Sequence, residues 1–178
     1  MHQPHNAWVE PYDLFVSYAH DDGWQLIEPL VEYIKQKHLE FSPAGPLEVF
    51  FDKRSIPTGR FWEVEIRTGL RQSKMFLAVI SPNYLRADMP GRPNWCRREW
   101  DEFIRLESSR QFQQGVWPGE AVVPMFIIAP KDIEQSLPDS SRKWWAQMQQ
   151  RQGVDRRLHF AADALLNVLA HCLPLRQV

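Results

Sequence analysis

The chain reads Tyr12-Asp13-Leu14-Phe15-Val16-Ser17-Tyr18 near its start and Leu47-Glu48-Val49-Phe50-Phe51-Asp52 further on. The first run is almost continuously apolar, which is typical of a strand covered on both faces. Between the two runs, Trp24, Ile27 and Ile34 recur at helical spacing and predict an amphipathic helix. A strand-helix-strand unit places polar side chains together at the carboxyl edge of a parallel sheet, where open α/β proteins bind ligands.

The rest of the chain continues this alternation. The run 75–80 is the strongest strand signal and predicts a central strand, and Pro29 falls inside the first helix. Alternating strands and helices imply right-handed crossovers and an α/β fold with a central parallel sheet. The other predicted elements are a helix at 61–70, a helix at 94–108, a strand at 122–128, a short strand at 157–160 and a helix at 161–173.

Length, composition and net charge limit which class of protein this chain can be. The 178 residues, 44% of them hydrophobic, suffice for one core, so we expect a single domain over 11–174 between tails at 1–10 and 175–178. A formal net charge of -1 offers no overall attraction to nucleic acid or to anionic lipid. No apolar run reaches the roughly 20 residues that span a bilayer and no signal segment opens the chain, so we expect a cytoplasmic protein.

Two groups of potential ligands do not form a metal site by their spacing. Cys96 and Cys172 lie far apart in helical patterns and are expected to be buried apolar side chains. His20, Asp21 and Asp22 are adjacent, but Asp22 is better explained as a helix cap and no fourth ligand follows at useful spacing. We therefore predict no bound metal.

Three segments in this order resemble a TIR domain, the Toll/interleukin receptor fold. They are the strand 13–18, the loop 52–59 with Pro57, and the run Trp95-Cys96-Arg97-Arg98-Glu99, and the resemblance covers about residues 12 to 110. It implies a flavodoxin-like three-layer sandwich with about five parallel strands. It also implies that residues 52–60 form a self-association loop, with the positions Arg54, Ile56, Pro57 and Gly59.

The resemblance further implies an activity. Glu99 matches the glutamate of the NAD-consuming members, which would make NAD+ the substrate, with no cofactor, and give nicotinamide with ADP-ribose or a cyclic variant. On a helix, Trp95 precedes Glu99 by one turn and Phe103 follows it by one turn, so the carboxylate should emerge beside apolar side chains. The alternative is a solvent-facing helix glutamate paired with Arg98 or Arg105. The resemblance implies a prokaryotic anti-phage effector, activated by homo-oligomer or filament formation and governed by a fused or separate sensor domain.

Five further residues are candidates for binding the substrate, and for most of them a structural role is also open. Tyr18 is placed either to stack on a nicotinamide or adenine ring or to fill the core. Ser17 is placed either to donate to a ribose or phosphate oxygen or to end a strand. Asp52 either binds a substrate hydroxyl or orders its own loop. Trp62 either packs the start of its helix or walls the cleft, and Trp95 precedes Glu99 on the same helix.

Two other classes of protein compete with the enzyme. The first is a non-catalytic interaction module that docks other TIR domains and has no need of Glu99. The second is a phospho-receiver of similar topology, for which Asp21 and Asp22 stand suitably after the first strand. That class fails because the third strand ends in Ser81-Pro82, where a phosphorylatable aspartate should stand.

Overall fold

A sheet of five strands organises the described part of the chain. The computed structural model describes residues 11–42, 45–51, 61–114, 121–127, 134, 137–151 and 154–155. Within these ranges all strand pairs are parallel. The strands are β1 (Tyr12–Tyr18), β2 (Val49–Phe50), β3 (Ser73–Ile80), β4 (Val122–Phe126) and β5 (Val154–Asp155).

The helices follow the predicted alternation. A 3₁₀ turn at His20–Asp22 precedes α1 (Trp24–Phe41), and the later helices are α2 (Trp62–Arg71), α3 (Trp95–Gln114) and α4 (Asp139–Gln149). Pro29 lies inside α1, as predicted. The predicted strand 157–160 and helix 161–173 lie outside the described residues, whereas β5 pairs with β4 a few residues earlier than predicted.

The strand order creates a crevice beside the first strand. The order is β2-β1-β3-β4-β5, so β2 lies on one side of β1, and β3 and the later strands lie on the other side. Ser17 pairs with Ala78 and Tyr18 with Val79, which brings the carboxyl ends of β1 and β3 to the same level. Ligands bind open α/β sheets at such a switch point.

Side-chain alternation along β1 divides the core into two layers. Leu14, Val16 and Tyr18 pack in the cluster that contains α1 residues such as Ile27. Phe15 packs in the other cluster, with residues of α2, α3 and α4. Because successive side chains of a strand point to opposite faces, Ser17 faces the side of α3 and Tyr18 the side of α1.

The segment between β1 and α1 differs from the prediction. Asp22 was expected to cap α1, but α1 begins at Trp24 after Gly23, whose φ is 79°, and has no side-chain cap. Asp22 instead accepts hydrogen bonds from the Ser81 hydroxyl and the Asn83 amide. The prediction was wrong because contacts with the end of β3 hold this carboxylate.

The structure bears on the predicted burial of the cysteines and on the prediction that no segment spans a membrane. Cys96 is a buried free thiol, as predicted, and Cys172 lies outside the described residues. A search of the described helices for a segment able to cross a membrane found none.

Candidate active site

A cavity of about 520 Å³ opens at the carboxyl edge of β1 and β3. Four segments line it: the turn that follows β1, the first two turns of α2, the loop between β3 and α3, and the start of α3. Glu99, Trp62 and Trp95 are among its lining residues. The structure therefore brings these three predicted site residues to one concavity.

Glu99 lies in α3 with only 9% of its surface exposed. One of its carboxylate oxygens accepts a hydrogen bond from the Ser17 hydroxyl, with 2.6 Å between Ser17 Oγ and Glu99 Oε2. A buried carboxylate is costly unless it is hydrogen-bonded, and hydrogen bonds to charged groups are short and strong. Glu99 is therefore an oriented acidic group at the base of the cavity, and the predicted alternative of a solvent-facing helix glutamate is wrong.

A second hydroxyl extends this contact into the core. Tyr84 is fully buried, and its phenolic oxygen lies 3.0 Å from Ser17 Oγ. Ser17 has one proton, which it gives to Glu99, so Tyr84 donates to Ser17. Burial raises the pKa of Tyr84 well above its ordinary value, with Cys96 and Glu99 contributing, so the phenol keeps the proton that it donates.

The structure gives Ser17 a contact with Glu99 that neither of its two predicted roles includes. Its side chain is 1% exposed and its proton is directed at Glu99. Ser17 therefore orients the carboxylate in this structure, and donation from Ser17 to a substrate oxygen stays a prediction. Sequence reasoning missed Tyr84, which lies in a turn after β3 where no periodic pattern marks a residue.

Cys96 borders the same cavity and is nearly fully buried. Burial raises the pKa of its thiol well above the ordinary value, and the Glu99 carboxylate raises it further. A thiol of raised pKa is a poor nucleophile at neutral pH. The acidic group, not the thiol, is therefore the reactive candidate here.

An aromatic pair walls the cavity. The rings of Trp62 and Trp95 meet edge to face with 4.4 Å between centroids, and the Arg98 guanidinium lies 4.8 Å from the Trp95 centroid. Trp62 is 42% exposed, so part of its ring remains available to a ligand. The cleft-wall role predicted for Trp62 agrees with this position, and contact of either ring with substrate stays a prediction.

Tyr18 occupies a different layer. It is 7% exposed, packs in the α1-side cluster, and its ring stacks at 5.4 Å on His20. Tyr18 also lines the cavity. The structure thus gives it the core role that was left open, while stacking on a substrate ring stays a prediction.

Several predicted site residues cannot be placed. Asp52 and the self-association positions Arg54, Ile56, Pro57 and Gly59 all lie outside the described residues. The described chain resumes at Phe61, which is 85% exposed at the start of α2.

The acidic residues after β1 are engaged by protein groups. Asp21 accepts hydrogen bonds from Arg86 and Arg92, each at 2.7 Å, and Asp22 accepts from Ser81 and Asn83. Over the portion of the chain with described placement, no three His, Cys, Asp or Glu side chains are grouped to hold a metal ion.

A second cavity, of about 640 Å³, lies between α2 and α3. It shares Ile66, Trp95 and Glu99 with the first, so these side chains form a partition between the two concavities.

The fold and the site define a flavodoxin-like α/β domain with a buried acidic group at its switch point. Residues 14–160 match the TIR domain family, and the chain belongs to that family. Both the resemblance seen in the sequence and the flavodoxin-like sheet of five parallel strands are thereby confirmed.

Two curated relatives are bacterial. The chain is 28% identical over 161 residues to the 2' cyclic ADP-D-ribose synthase AbTIR of Acinetobacter baumannii (strain 1295743), covering 89% of this chain and 51% of that protein. It is 27% identical over 99 residues to the NAD(+) hydrolase PdTIR of Paracoccus denitrificans (strain Pd 1222), covering 56% of this chain and 28% of that protein. The chain thus spans about half the length of one relative and less of the other.

Among solved structures, the chain is similar to the TIR domains of the activated Roq1 resistosome directly recognizing the pathogen effector XopQ. The TM-score is 0.57 at 16% identity, with 88% of this chain and 98% of that chain covered. At this identity the similarity shows the fold alone.

Proposed function

We propose that this TIR domain is an NAD+ glycohydrolase that cleaves the bond between nicotinamide and ribose, with Glu99 as its catalytic residue. The observation that carries the proposal is the buried Glu99 carboxylate, which is held by Ser17 and borders a cavity at the switch point of the sheet. The two bacterial relatives, named as a cyclic ADP-D-ribose synthase and an NAD(+) hydrolase, support the same chemistry.

A single carboxylate suffices for this reaction. An ordinary glycoside needs one carboxylic acid to protonate the departing oxygen and a second carboxylate to supply or activate the nucleophile. The nicotinamide of NAD+ carries a positive charge while attached and leaves neutral, so its departure needs no proton from the enzyme. What remains is to hold the ribose and to stabilise the positive charge that develops at its anomeric carbon.

The surroundings of Glu99 suit that task. Its position at 9% exposure limits screening by water, and the attraction between a carboxylate and a developing cation is stronger in such a medium. The hydrogen bond from Ser17 fixes the orientation of the carboxylate, which we expect to face the ribose. Trp62 and Trp95 supply apolar walls for the leaving nicotinamide.

The product depends on which nucleophile reaches the ribosyl cation. Attack by water gives ADP-ribose, whereas attack from within the same molecule gives a cyclic product. The names of the two relatives cover both outcomes. We propose that no cofactor takes part.

We further propose that activity requires self-association through residues 52–60, in a homo-oligomer or filament. Phe61 and Val64 next to that loop are 85% and 59% exposed and would be covered in such an assembly. The Roq1 TIR domains, to which the chain is similar in fold, are part of a resistosome. The biological role that we propose is that of a cytoplasmic anti-phage effector, coupled to a fused or separate sensor domain.

A non-catalytic interaction module is the second candidate. The exposed apolar side chains of Phe61, Trp62 and Val64 favour it, because they form a surface suited to another protein. An adaptor of this kind has no use for Glu99, so replacing Glu99 would leave its association unchanged. The enzyme is preferred because the adaptor leaves the buried carboxylate unexplained.

The test is release of nicotinamide from NAD+ by the purified protein, measured by HPLC over a range of protein concentrations and on a crowded surface. We expect the rate per molecule to rise with concentration, and Glu99→Gln to abolish release. Glu102→Gln is the matched control, because Glu102 lies three residues further along α3 and pairs with Arg105 at 2.8 Å, outside the first cavity. Equal rates for Glu99→Gln and the wild type would refute the assignment.

A further inference from the structure

The loop between β3 and α3 brings two arginines to the cavity that contains Glu99. Arg86 and Arg92 both line this cavity. A narrow turn closes the loop between them: the Arg92 N–H donates to the Met89 carbonyl at 2.9 Å, the Met89 N–H donates back at 3.2 Å, and Gly91 has a φ of 73°. Only glycine adopts such a φ readily, so the turn is built into the sequence.

A buried side chain fixes the base of this loop. Asn94 is 2% exposed, and its amide donates to the carbonyls of Tyr84 at 2.9 Å and Arg86 at 2.7 Å. The backbone at Arg86 is therefore held by the same turn that carries the buried Tyr84 phenol toward Ser17. One short segment thus carries both the Arg86 backbone and the Tyr84 hydroxyl that contacts Ser17.

One acidic side chain holds the two guanidinium groups together. Asp21 accepts from Arg86 Nη1 and from Arg92 Nη2, each at 2.7 Å. One carboxylate balances one of the two positive charges, so this cluster of three residues keeps a net charge of +1. The side chains remain partly open to solvent, at 29% for Arg86 and 54% for Arg92, so donors remain for a ligand.

The acidic group Glu99 and the two arginines of the cavity differ in how exposed they are. Among the described residues that line it, the carboxylates are Asp21 and Glu99 and the arginines are Arg86 and Arg92. Glu99 is 9% exposed and thus lies at the base, whereas the arginines are several times more exposed and lie at the rim. A ligand that fits this pattern has a group that becomes cationic at its inner end and an anionic group further out.

We infer that Arg86 and Arg92, held side by side by Asp21, bind the diphosphate of the substrate. The inference rests on the proposed function, and it assigns to this cavity a preference for a dinucleotide over a nicotinamide nucleoside. A guanidinium group donates two parallel N–H bonds to phosphate oxygens, and two such groups match the two phosphates of NAD+. With the nicotinamide ribose against Glu99, the diphosphate is the next anionic group along the molecule.

The test compares NAD+ with nicotinamide riboside, which has the same scissile bond and no phosphate. The variants are Arg86→Gln, Arg92→Gln and the double variant, with Arg142→Gln as the matched control, since Arg142 forms a surface pair with Asp139 at 2.9 Å on α4. We expect the ratio of kcat/KM for NAD+ to that for nicotinamide riboside to fall by about tenfold for each substitution, mainly through KM. Arg142→Gln should keep the wild-type ratio.

A binding measurement tests this inference independently of whether the protein cleaves NAD+. The probe is ADP-ribose, with its dissociation constant measured by calorimetry for wild type and for the double variant, whose folding is checked by circular dichroism. Weaker binding by the double variant supports the inference even if no NAD+ is cleaved. An unchanged ratio, or unchanged ADP-ribose affinity in a folded double variant, overturns it while leaving the role of Glu99 intact.

Discussion

Ser17 Oγ lies 2.6 Å from Glu99 Oε2 and joins the end of β1 to the second turn of α3 across 82 residues of sequence. Ser17 lies two residues after Phe15 on β1, so the two side chains point to the same face of the sheet. Phe15 packs on the side of α3, and Ser17 therefore faces α3 as well. The orientation of the acidic group is thus a consequence of strand alternation. In the proposed enzyme this hydrogen bond orients the carboxylate that meets the ribose.

Removing this hydrogen bond should lower the rate of the proposed reaction without removing the fold. A hydrogen bond to a charged group contributes about 1.5–3 kcal/mol, so we expect Ser17→Ala to reduce kcat by about tenfold to a hundredfold. KM should change much less, because Ser17 is 1% exposed and is not among the described residues that line the cavity. Steady-state kinetics on NAD+ provide the measurement.

Tyr84→Phe is the matched comparison for Ser17→Ala. It keeps the ring that stacks on Trp144 at 5.4 Å and removes only the hydroxyl next to Ser17. Because Ser17 still donates to Glu99, the fall in kcat should be smaller than for Ser17→Ala. A Ser17→Ala protein with wild-type kcat would rule out the positioning role.

Alkaline pH should destabilise the domain through two buried groups at this site. The pKa of Tyr84 and the pKa of Cys96 are both raised by burial above ordinary values of 10.0 and 9.0. Above those values the unfolded chain loses protons that the folded chain keeps. The free energy of unfolding therefore falls as pH rises, by about 1.4 kcal/mol per pH unit and group, until the folded pKa is reached.

Urea unfolding at several pH values from about pH 8 to about pH 11 measures this effect. We expect the stability of Tyr84→Phe and of Cys96→Ala to decline less steeply with pH than that of the wild type. Parallel curves for all three proteins would show that neither group titrates differently in the folded and unfolded states.

The sequence predicted the central strands because their signal is local. The continuous apolar runs of β1 and β3 need no information from elsewhere, and their partners follow from the crossover rules. β2 shows the limit of such a signal. The apolar run 47–51 predicted a longer strand, but only Val49 and Phe50 pair, because β2 lies at the edge of the sheet beside β1 alone.

The candidate site was predictable only where a motif marks it. Glu99 and Trp95 lie in a short recognisable run, and the structure brings them together with Trp62. Tyr84, Arg86 and Arg92 lie in a loop whose course is set by tertiary hydrogen bonds such as those of Asn94. Composition and periodicity contain no signal for those hydrogen bonds, so no sequence pattern singled out these residues.

An ion pair behind the site should contribute to stability. Glu107 of α3 is 4% exposed; its Oε2 lies 2.8 Å from Arg151 Nη2, and its Oε1 accepts from the Ala121 N–H at 3.1 Å. The pair ties α3 to the start of β4 and the end of α4. Removing the Glu107 charge leaves the partly buried Arg151 guanidinium without this carboxylate, so Glu107→Gln should lower the free energy of unfolding by about 1.5–3 kcal/mol.

A double-mutant cycle with Arg151→Gln checks this interpretation by urea unfolding. The double variant should lose less stability than the sum of the single variants, because no charge is left without its partner. Asp139→Asn, which breaks the exposed pair with Arg142, is the control and should cost less than about 1 kcal/mol. Additive losses in the cycle would mean that the two side chains act independently.

Gly69 should resist substitution even though it lies inside a helix. An alanine at an exposed helical glycine usually stabilises a protein by up to about 1 kcal/mol. Here an added Cβ would lie 2.5–2.7 Å from three ring atoms of Phe50, and that ring is stacked on Phe15 at 5.1 Å and cannot swing aside. The close approach of α2 to β2 therefore requires glycine, and we expect Gly69→Ala to destabilise the domain by about 1–3 kcal/mol.

The substitution should also affect the cavity, because α2 carries Trp62 and Ile66 to its wall. Pushing α2 away from β2 displaces that wall, so KM for NAD+ should rise in the folded Gly69→Ala protein. In a Phe50→Leu background the ring is absent, and the same substitution should cost less stability and restore part of the affinity. If Gly69→Ala stabilises the wild-type background, as it would at an exposed helical position, then the contact with Phe50 does not set the position of α2.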